Sequence, residues 1–392
     1  MPVTFLHTAD WQLGKPFARV ADPDKRALIR QERLNVIPRI GQVAKEHGAA
    51  FLLVAGDLFD TPTVGKATVS QACSAIGQLG IPVLVIPGNH DHGGPGCLWE
   101  QDFFLRERDS LAPNLCLLLE ATPVELEHAV IFPCPLLRRH EAVDPSSWLR
   151  DLDESVLAGF GDKVRLVLAH GSTQDFEGGG DDEDGSGGVP NLINLDRLPS
   201  EHFDYVALGD WHGTKAIGDK AWYAGTPEPD RFPKGADNAP GNVLVVKASR
   251  GGVPAVETVP TACLGWHQMA FAFASDDEVA TFEGRLGELL GNRAARDLLR
   301  LELQGSLGIE ATTRLESILE ALDSRLLRLK LANHTVIAPT GPEVEALTRR
   351  TGDPLTSRVA AQLVELLNGS GEEAALAHIA LRELHAAVTS SL

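Results

Sequence analysis

At 392 residues the chain is long enough to bury at least one large core and to divide into two or three domains. Its 54 acidic against 35 basic residues leave a formal charge of −19, which excludes indiscriminate nucleic-acid binding through bulk charge but leaves room for a local basic groove. Five cysteines without a C-x-x-C spacing exclude a disulfide framework, and no apolar run approaches the roughly 20 residues that span a bilayer, so a soluble, cytoplasmic protein with no membrane association is expected.

The apolar run at 3–8 predicts a strand that ends in Asp10-Trp11-Gln12. A helical pattern over 24–47 stops at Gly48, a residue suited to the left-handed position after a helix. A strand at 50–55 runs into Gly56-Asp57-Leu58-Phe59-Asp60. A helix at 65–79 and a strand at 82–86 lead to Gly88-Asn89-His90-Asp91. Strand-like runs follow at 115–119, 123–127, 129–132, 164–169, 204–208, 221–224 and 242–247. The run at 164–169 ends at His170, and that at 204–208 ends at Gly209-Asp210-Trp211-His212. This order predicts an α/β fold with two mixed β-sheets packed as a sandwich and flanked by helices. Polar motifs at the carboxyl ends of strands mark the ligand site of such a fold.

The stretch EGGGDDEDGSGG at 177–188 breaks all periodicity and reads as a disordered surface insertion beside His170. Oxygen-ligand spacing of a calcium loop is absent from it. Basic residues cluster at Lys15, Arg19, Lys25, Arg26, Arg30 and Arg33, at Arg138 and Arg139, and at Arg231 and Lys234. Each cluster read alone is a solvated face. From about 265 the pattern becomes strand, helix at 276–290, strand at 298–305, helix at 311–323 and strand at 325–332, a compact α+β unit. Beyond Pro339 and Gly341 the tail is helical, with Leu355, Val359, Leu363 and Leu366 in one stripe and Ala375, Ile379 and Leu384 in another. Such stripes usually dock on their own chain. The domains expected are 1–262, 263–336 and a helical C-terminal segment 337–392.

Five strand tips that carry carboxylate, amide and imidazole groups suit a centre of two cations about 3.5–4 Å apart. Asp57 is the natural bridge, because Gly56 lets the chain turn sharply off its strand. Asp10 and Gln12, spaced by two, are expected to face one cation together. Asn89 offers a neutral oxygen, His170 an imidazole, and Asp210 and His212 divide between the two positions. A water shared between the cations loses its proton near neutral pH and attacks phosphorus in line. His90 remains as the proton donor to the departing alkoxide, with the adjacent Asp91 expected to hold it protonated.

These motifs resemble those of the calcineurin-like metallophosphoesterases, whose pattern runs D-x-H, G-D-x-x-D, G-N-H-[DE], H and G-H-x-H. Within that superfamily HTADWQLGKPF, GDLFD, GNHD, LAHG, LGDWHG and WYAGTPEPDRF are similar to the SbcD- and YhaO-like DNA repair nucleases. The resemblance covers roughly 1–260 and extends more loosely to 265–335, which matches the family's capping domain in position and character. It implies a metal-dependent DNA exo- or endonuclease, commonly dimeric, acting with an SbcC-type coiled-coil ATPase held by helices after the cap. It also implies one metal at Asp10, Gln12, Asp57 and His212, another at Asp57, Asn89, His170 and Asp210, and His90 as general acid.

Two positions depart from the pattern. Gln12 stands where the family has histidine, and Asp210 replaces the first histidine of G-H-x-H. Both changes swap an imidazole for a harder oxygen ligand, which favours Mn2+, with Mg2+ or Fe2+ as alternatives to zinc. The extra carboxylate lowers the formal charge of a two-cation centre from about +2 to about +1. A phosphodiesterase or phosphomonoesterase for a nucleotide or other small ester is the competing function, because loops and cap, not the metal centre, set the substrate class. A metal-weakened scaffold that recruits a partner to DNA ends is a third, supported only by Gln12.

Overall fold

The computed structural model describes residues 2–173, 191–233, 235, 238–337, 340–367, 369 and 371–389; the acidic stretch 177–188, Lys234 and Pro339 lie outside them. The chain forms two compact units, Met1–Leu264 and Gly265–Leu392.

The first unit runs β1 (Val3–Thr8), α1 (Pro23–His47), β2 (Leu52–Ala55), α2 (Lys66–Gly77), β3 (Val83–Ile86), α3 (Asp102–Leu111), β4 (Leu115–Leu117), β5 (Val124–Glu125), β6 (Ala129–Cys134), α4 (Glu154–Gly159), β7 (Val164–His170), β8 (Tyr205–Gly209), β9 (Lys215–Ile217), β10 (Ala221–Tyr223), β11 (Asn242–Ala248) and β12 (Ala255–Pro260). Two sheets result, ordered β12-β11-β1-β2-β3-β4 and β5-β6-β7-β8-β10-β9. Both are mixed, as expected. The central strands are parallel, while β11 runs antiparallel to β1, and β5 and β9 form antiparallel edges.

Strand periodicity splits each apolar run between two cores. Phe5, Leu53 and Leu84 of the first sheet meet Ile131, Leu166, Leu168 and Tyr205 of the second, so the sheets pack face to face. Phe5 stacks on Phe51 at 5.2 Å and meets Tyr205 edge-on at 5.6 Å. Leu6, Leu52, Val54 and Val83 point the other way, onto Val36, Ile37 and Ile40 of α1 and Val69, Ala72 and Ile76 of α2. Val130, Phe132, Val167 and Val206 cover the outer face of the second sheet with Leu149, Leu157 and Phe203. The long helix α1 begins at Asp22, whose carboxylate accepts from the N–H groups of Asp24 and Lys25, and ends at Gly48 with φ 61°.

In the second unit β13 (Gly265–Phe273), α5 (Glu278–Leu290), β14 (Asp297–Leu307), α6 (Ile309–Arg325) and β15 (Arg328–Ile337) form a three-stranded parallel sheet with two crossover helices. Leu299, Leu301 and Leu303, two apart on β14, share one face with Phe271, and that face is covered by Phe282 and Leu286 of α5 and Leu315 and Leu322 of α6. Then come α7 (Gly341–Thr348), α8 (Pro354–Leu367) and α9 (Glu372–Thr389). Here the expectation holds in part: Leu363 and Leu384 pack against the core of these helices, as the stripes predict. Leu355, Val359 and Leu366 stay 74%, 38% and 45% exposed. The face of α8 that packs is rotated by one position, through Ala360, Leu363, Val364 and Leu367 against Leu347 and Leu381. Both faces of α8 are apolar, so the stripe in the sequence did not identify the one that docks. Among the described residues no helix is long and apolar enough to cross a membrane.

Candidate metal centre

The carboxyl ends of β1, β2, β3, β7 and β8 bring together Asp10, Asp57, Asn89, His170 and Asp210. The chain leaves β1 and β2 as a matched pair: Asp10 N–H donates to Gly56 O at 3.1 Å and Gln12 N–H to Asp57 O at 2.8 Å. Asp10, Gln12, Asp57 and Asp210 all adopt positive φ, at 53°, 42°, 54° and 102°. Four non-glycine residues in that region cost about 1–3 kcal/mol each and concentrate at functional sites. Asp10 and Gln12 therefore share a side because each sits in a left-handed turn flanking the buried Trp11, not because they continue a strand. Gly56 makes room directly, since a Cβ there would lie 2.2 Å from His170 Nδ1.

The fully buried ring of His170 donates from Nδ1 to Ala55 O at 2.8 Å, which turns Nε2 toward the other groups. Around Nε2 lie Asn89 Oδ1 at 3.1 Å, Asp57 Oδ1 at 3.7 Å and Asp210 Oδ1 at 3.8 Å. Each of these separations from Nε2 falls in the range of about 3–4 Å between donors of an octahedral ion with bonds of about 2.0–2.2 Å. One candidate ligand atom from each of Asp10, Asp57 and His170 lies within 4.8 Å of the others. Electrostatics point the same way. Burial above all, with Asp57 and Asp210 adding, raises the Asp10 carboxyl well above its usual range despite His170. Burial opposes charge on His170, yet Asp57, Asp10 and Asp210 together lift it to about 9. Carboxylates so crowded and so dry call for cationic partners.

Asp57 faces both ways. Its Oδ1 looks toward His170 and accepts from His90 N–H at 2.9 Å, while its Oδ2 lies 3.5 Å from Gln12 Nε2. Gln12 Nε2 is also 3.4 Å from His212 Nε2. His212 Nδ1 pairs with Asp230 Oδ1 at 2.9 Å. Burial presses the His212 ring toward its neutral form, with Arg231 and Lys15 assisting against Asp230. Burial works against charge on Asp230 too, but His212, Lys15 and Arg231 hold its carboxyl well below the usual range. Asp210 is fixed by its N–H on Asp10 Oδ1 at 3.1 Å and by Ser172 Oγ on its Oδ2 at 2.8 Å.

His90 is half-buried, and its Nδ1 lies 2.9 Å from Asp60 O. A carbonyl only accepts, so Nδ1 carries a proton and Nε2 is the free end of the ring. Asp91 does not do what was expected of it. Its oxygens accept from Gly88 N–H at 2.8 Å and Phe59 N–H at 3.0 Å, inside the fold. Burial, with Asp57 adding, pushes it up to about 7 against those two bonds. It ties the loop after β3 to the loop after β2, and the group that holds the His90 ring is the backbone carbonyl of Asp60. Asp91→Ala should leave two buried N–H groups unpaired and cost about 2–5 kcal/mol of stability. A urea midpoint equal to that of the parent protein would remove this bracing role.

Lys15, Asp60, Ser172, Asp230 and Arg231 belong to the site although the motifs did not assign them roles. One signal was available for Asp230: an imidazole that serves a metal almost always gives its other nitrogen to a carboxylate, and P-E-P-D-R-F supplies one. Arg33, counted above in a basic cluster, is instead a buried brace. Its guanidinium donates to Trp11 O at 2.9 Å, Glu228 O at 2.7 Å and Asp10 O at 3.1 Å.

The model of the calcineurin-like phosphoesterase family matches residues 3–214 of this chain. The SbcD subunit of nuclease SbcCD from Escherichia coli (strain K12) is 25% identical to it over 260 residues, covering 58% of this chain and 61% of that protein. Its counterpart in Escherichia coli O157:H7 matches to the same extent. The match thus spans about three fifths of the length of these curated relatives, 61%. The crystal structure of TT1561 of Thermus thermophilus superposes with a TM-score of 0.40 and 13% identity, over 67% of this chain and 100% of that one.

Proposed function

Because the chain belongs to the calcineurin-like phosphoesterase family, we propose that it is a metal-dependent nuclease that hydrolyses DNA phosphodiesters in repair. The observation that carries this is the convergence of Asp57, Asn89 and Asp210 on His170 Nε2 at 3.1–3.8 Å, beside a histidine whose free Nε2 is placed to give a proton. Divalent ions held there, Mn2+ by the oxygen-rich donor set, would polarise the phosphoryl oxygens and lower the pKa of the attacking water. The ligand groups are Asp10, Gln12, Asp57 and His212 on one side, and Asp57, Asn89, His170 and Asp210 on the other. Asp57, whose Oδ1 faces His170 and whose Oδ2 faces Gln12, would serve both. His90, held by Asp60 O through Nδ1–H, would give a proton from Nε2 of its imidazolium form to the departing oxygen of the sugar and return to the neutral ring that keeps Nδ1–H.

DNA as substrate is favoured by the similarity to a component of a nuclease. In this reading residues 1–262 form the nuclease domain, 263–336 cap it, and 337–392 dock an SbcC-like coiled-coil ATPase, the protein acting in the cytoplasm as a homodimer. The exposed apolar side chains of α8 suit such docking. A second reading, a phosphoesterase for a nucleotide or other small ester, is favoured by the net charge of −19. Purified protein incubated with Mn2+ on single-stranded, duplex and hairpin DNA, and on an aryl phosphodiester, separates them. DNA cleavage is expected, and hydrolysis of the aryl ester with no DNA cleaved would leave only the second reading.

A further inference from the structure

The two halves of the centre are chemically unequal. Around His170 Nε2 the neighbours are acceptors: Asn89 Oδ1, Asp57 Oδ1 and Asp210 Oδ1. Around Gln12 every polar group already has a partner of opposite kind. Lys15 Nζ donates to Gln12 Oε1 at 2.7 Å and to the buried Asp230 Oδ2 at 2.6 Å, with Asp60 Oδ1 at 3.8 Å. With its oxygen taken by an ammonium, Gln12 turns its amide nitrogen to Asp57 Oδ2 at 3.5 Å and His212 Nε2 at 3.4 Å. Both accept: Asp57 is a carboxylate, and His212, with Nδ1 on Asp230 Oδ1, leaves Nε2 facing Gln12 Nε2 at 3.4 Å and Arg231 Nη2 at 3.1 Å. Exchanging the two ends of the amide would set its NH2 against the ammonium and its oxygen against a carboxylate, so Lys15 fixes which end faces the centre.

We propose that Lys15 is a cation built onto the Gln12 oxygen, competing with a divalent ion for that oxygen while Arg231 faces His212 beside it, so that the protein holds one ion tightly at His170 and a second only weakly. This rests on the phosphoesterase reading and refines it. For the second ion to bind, Lys15 must release Gln12 Oε1 and the amide must turn over. Asp230 opposes both movements, since it anchors Lys15 and His212 together. Lys15 is thereby a positioning residue that sets the order and strength of metal loading.

Titration with Mn2+, counting free ions by their six-line electron paramagnetic resonance signal, tests this without any activity measurement. The parent protein should bind one ion, with the second at least ~100-fold weaker. Lys15→Met should tighten the second ion by about tenfold or more and leave the first within about twofold, whereas Lys15→Arg should keep the parent pattern. Gln12→His, which removes both the acceptor of Lys15 and the inward amide nitrogen, should tighten the second ion as well and serves if Lys15→Met does not fold. Two ions of equal affinity in the parent protein would overturn the proposal. So would a second ion unchanged in a folded Lys15→Met or, where that variant does not fold, in Gln12→His. No ion bound at all would instead bring down the phosphoesterase reading on which it rests.

Discussion

Asp57→Ala is expected to lose both tight Mn2+ binding and phosphodiester hydrolysis, the latter by at least ~1,000-fold. Among the described residues no other side chain offers one oxygen to His170 and the other to Gln12, at 3.7 Å and 3.5 Å. The fold should survive. The substitution leaves His90 N–H without its acceptor, but it also removes one of the carboxylates that raise the Asp10 carboxyl. These effects oppose each other, so the change in stability should stay within about 2 kcal/mol. Asp57→Asn keeps the shape and an oxygen for His90 N–H while removing the charge, and it should fail nearly as badly. Hydrolysis close to the parent rate in either folded variant would show that the reaction does not run at this centre.

His90→Ala is expected to separate substrates by their leaving groups. Loss of a positioned proton donor costs about 10²–10⁴-fold when the departing oxygen is a strongly basic alkoxide, as in DNA. An aryl phosphodiester with an acidic phenol leaves without help, and its rate should fall by less than about tenfold. Mn2+ affinity should not move, because in the site assembled here His90 faces the centre through its backbone N–H on Asp57 and its ring on Asp60 O. Equal losses on both substrates would take His90 out of the acid role and leave it as a brace for the loop.

Much of the fold and of the centre is legible in the sequence. The strand tips carrying Asp10, Asp57, Asn89, His170 and Asp210 announce themselves because each ends an apolar run on a polar group, three of them directly after a glycine, Gly56, Gly88 or Gly209. The sandwich followed from the same runs. What the sequence could not disclose was the direction of side chains after a left-handed residue, and pairings across long separations. Asp91 adjoins His90 in the chain, yet its oxygens meet the N–H groups of Phe59 and Gly88. Lys15 and Asp230 are 215 positions apart, and only packing of the loop after β1 beside Asp230 makes them partners. The helix α3 leaves little trace in the sequence because it buries little beyond Phe104, and β9 and β12 leave little because they are short or largely exposed edges.

The groups gathered around Asp57 are drawn from residue 10 at one end to residue 212 at the other, and the carboxylate that holds His212 comes later still, at 230. A ribosome making this protein therefore exposes Asp10, Asp57 and Asn89 long before the histidine that completes the set. A nascent or prematurely released chain ending ahead of Asp210 has no assembled centre. Through roughly the first half of its own translation the chain therefore carries no complete metal centre.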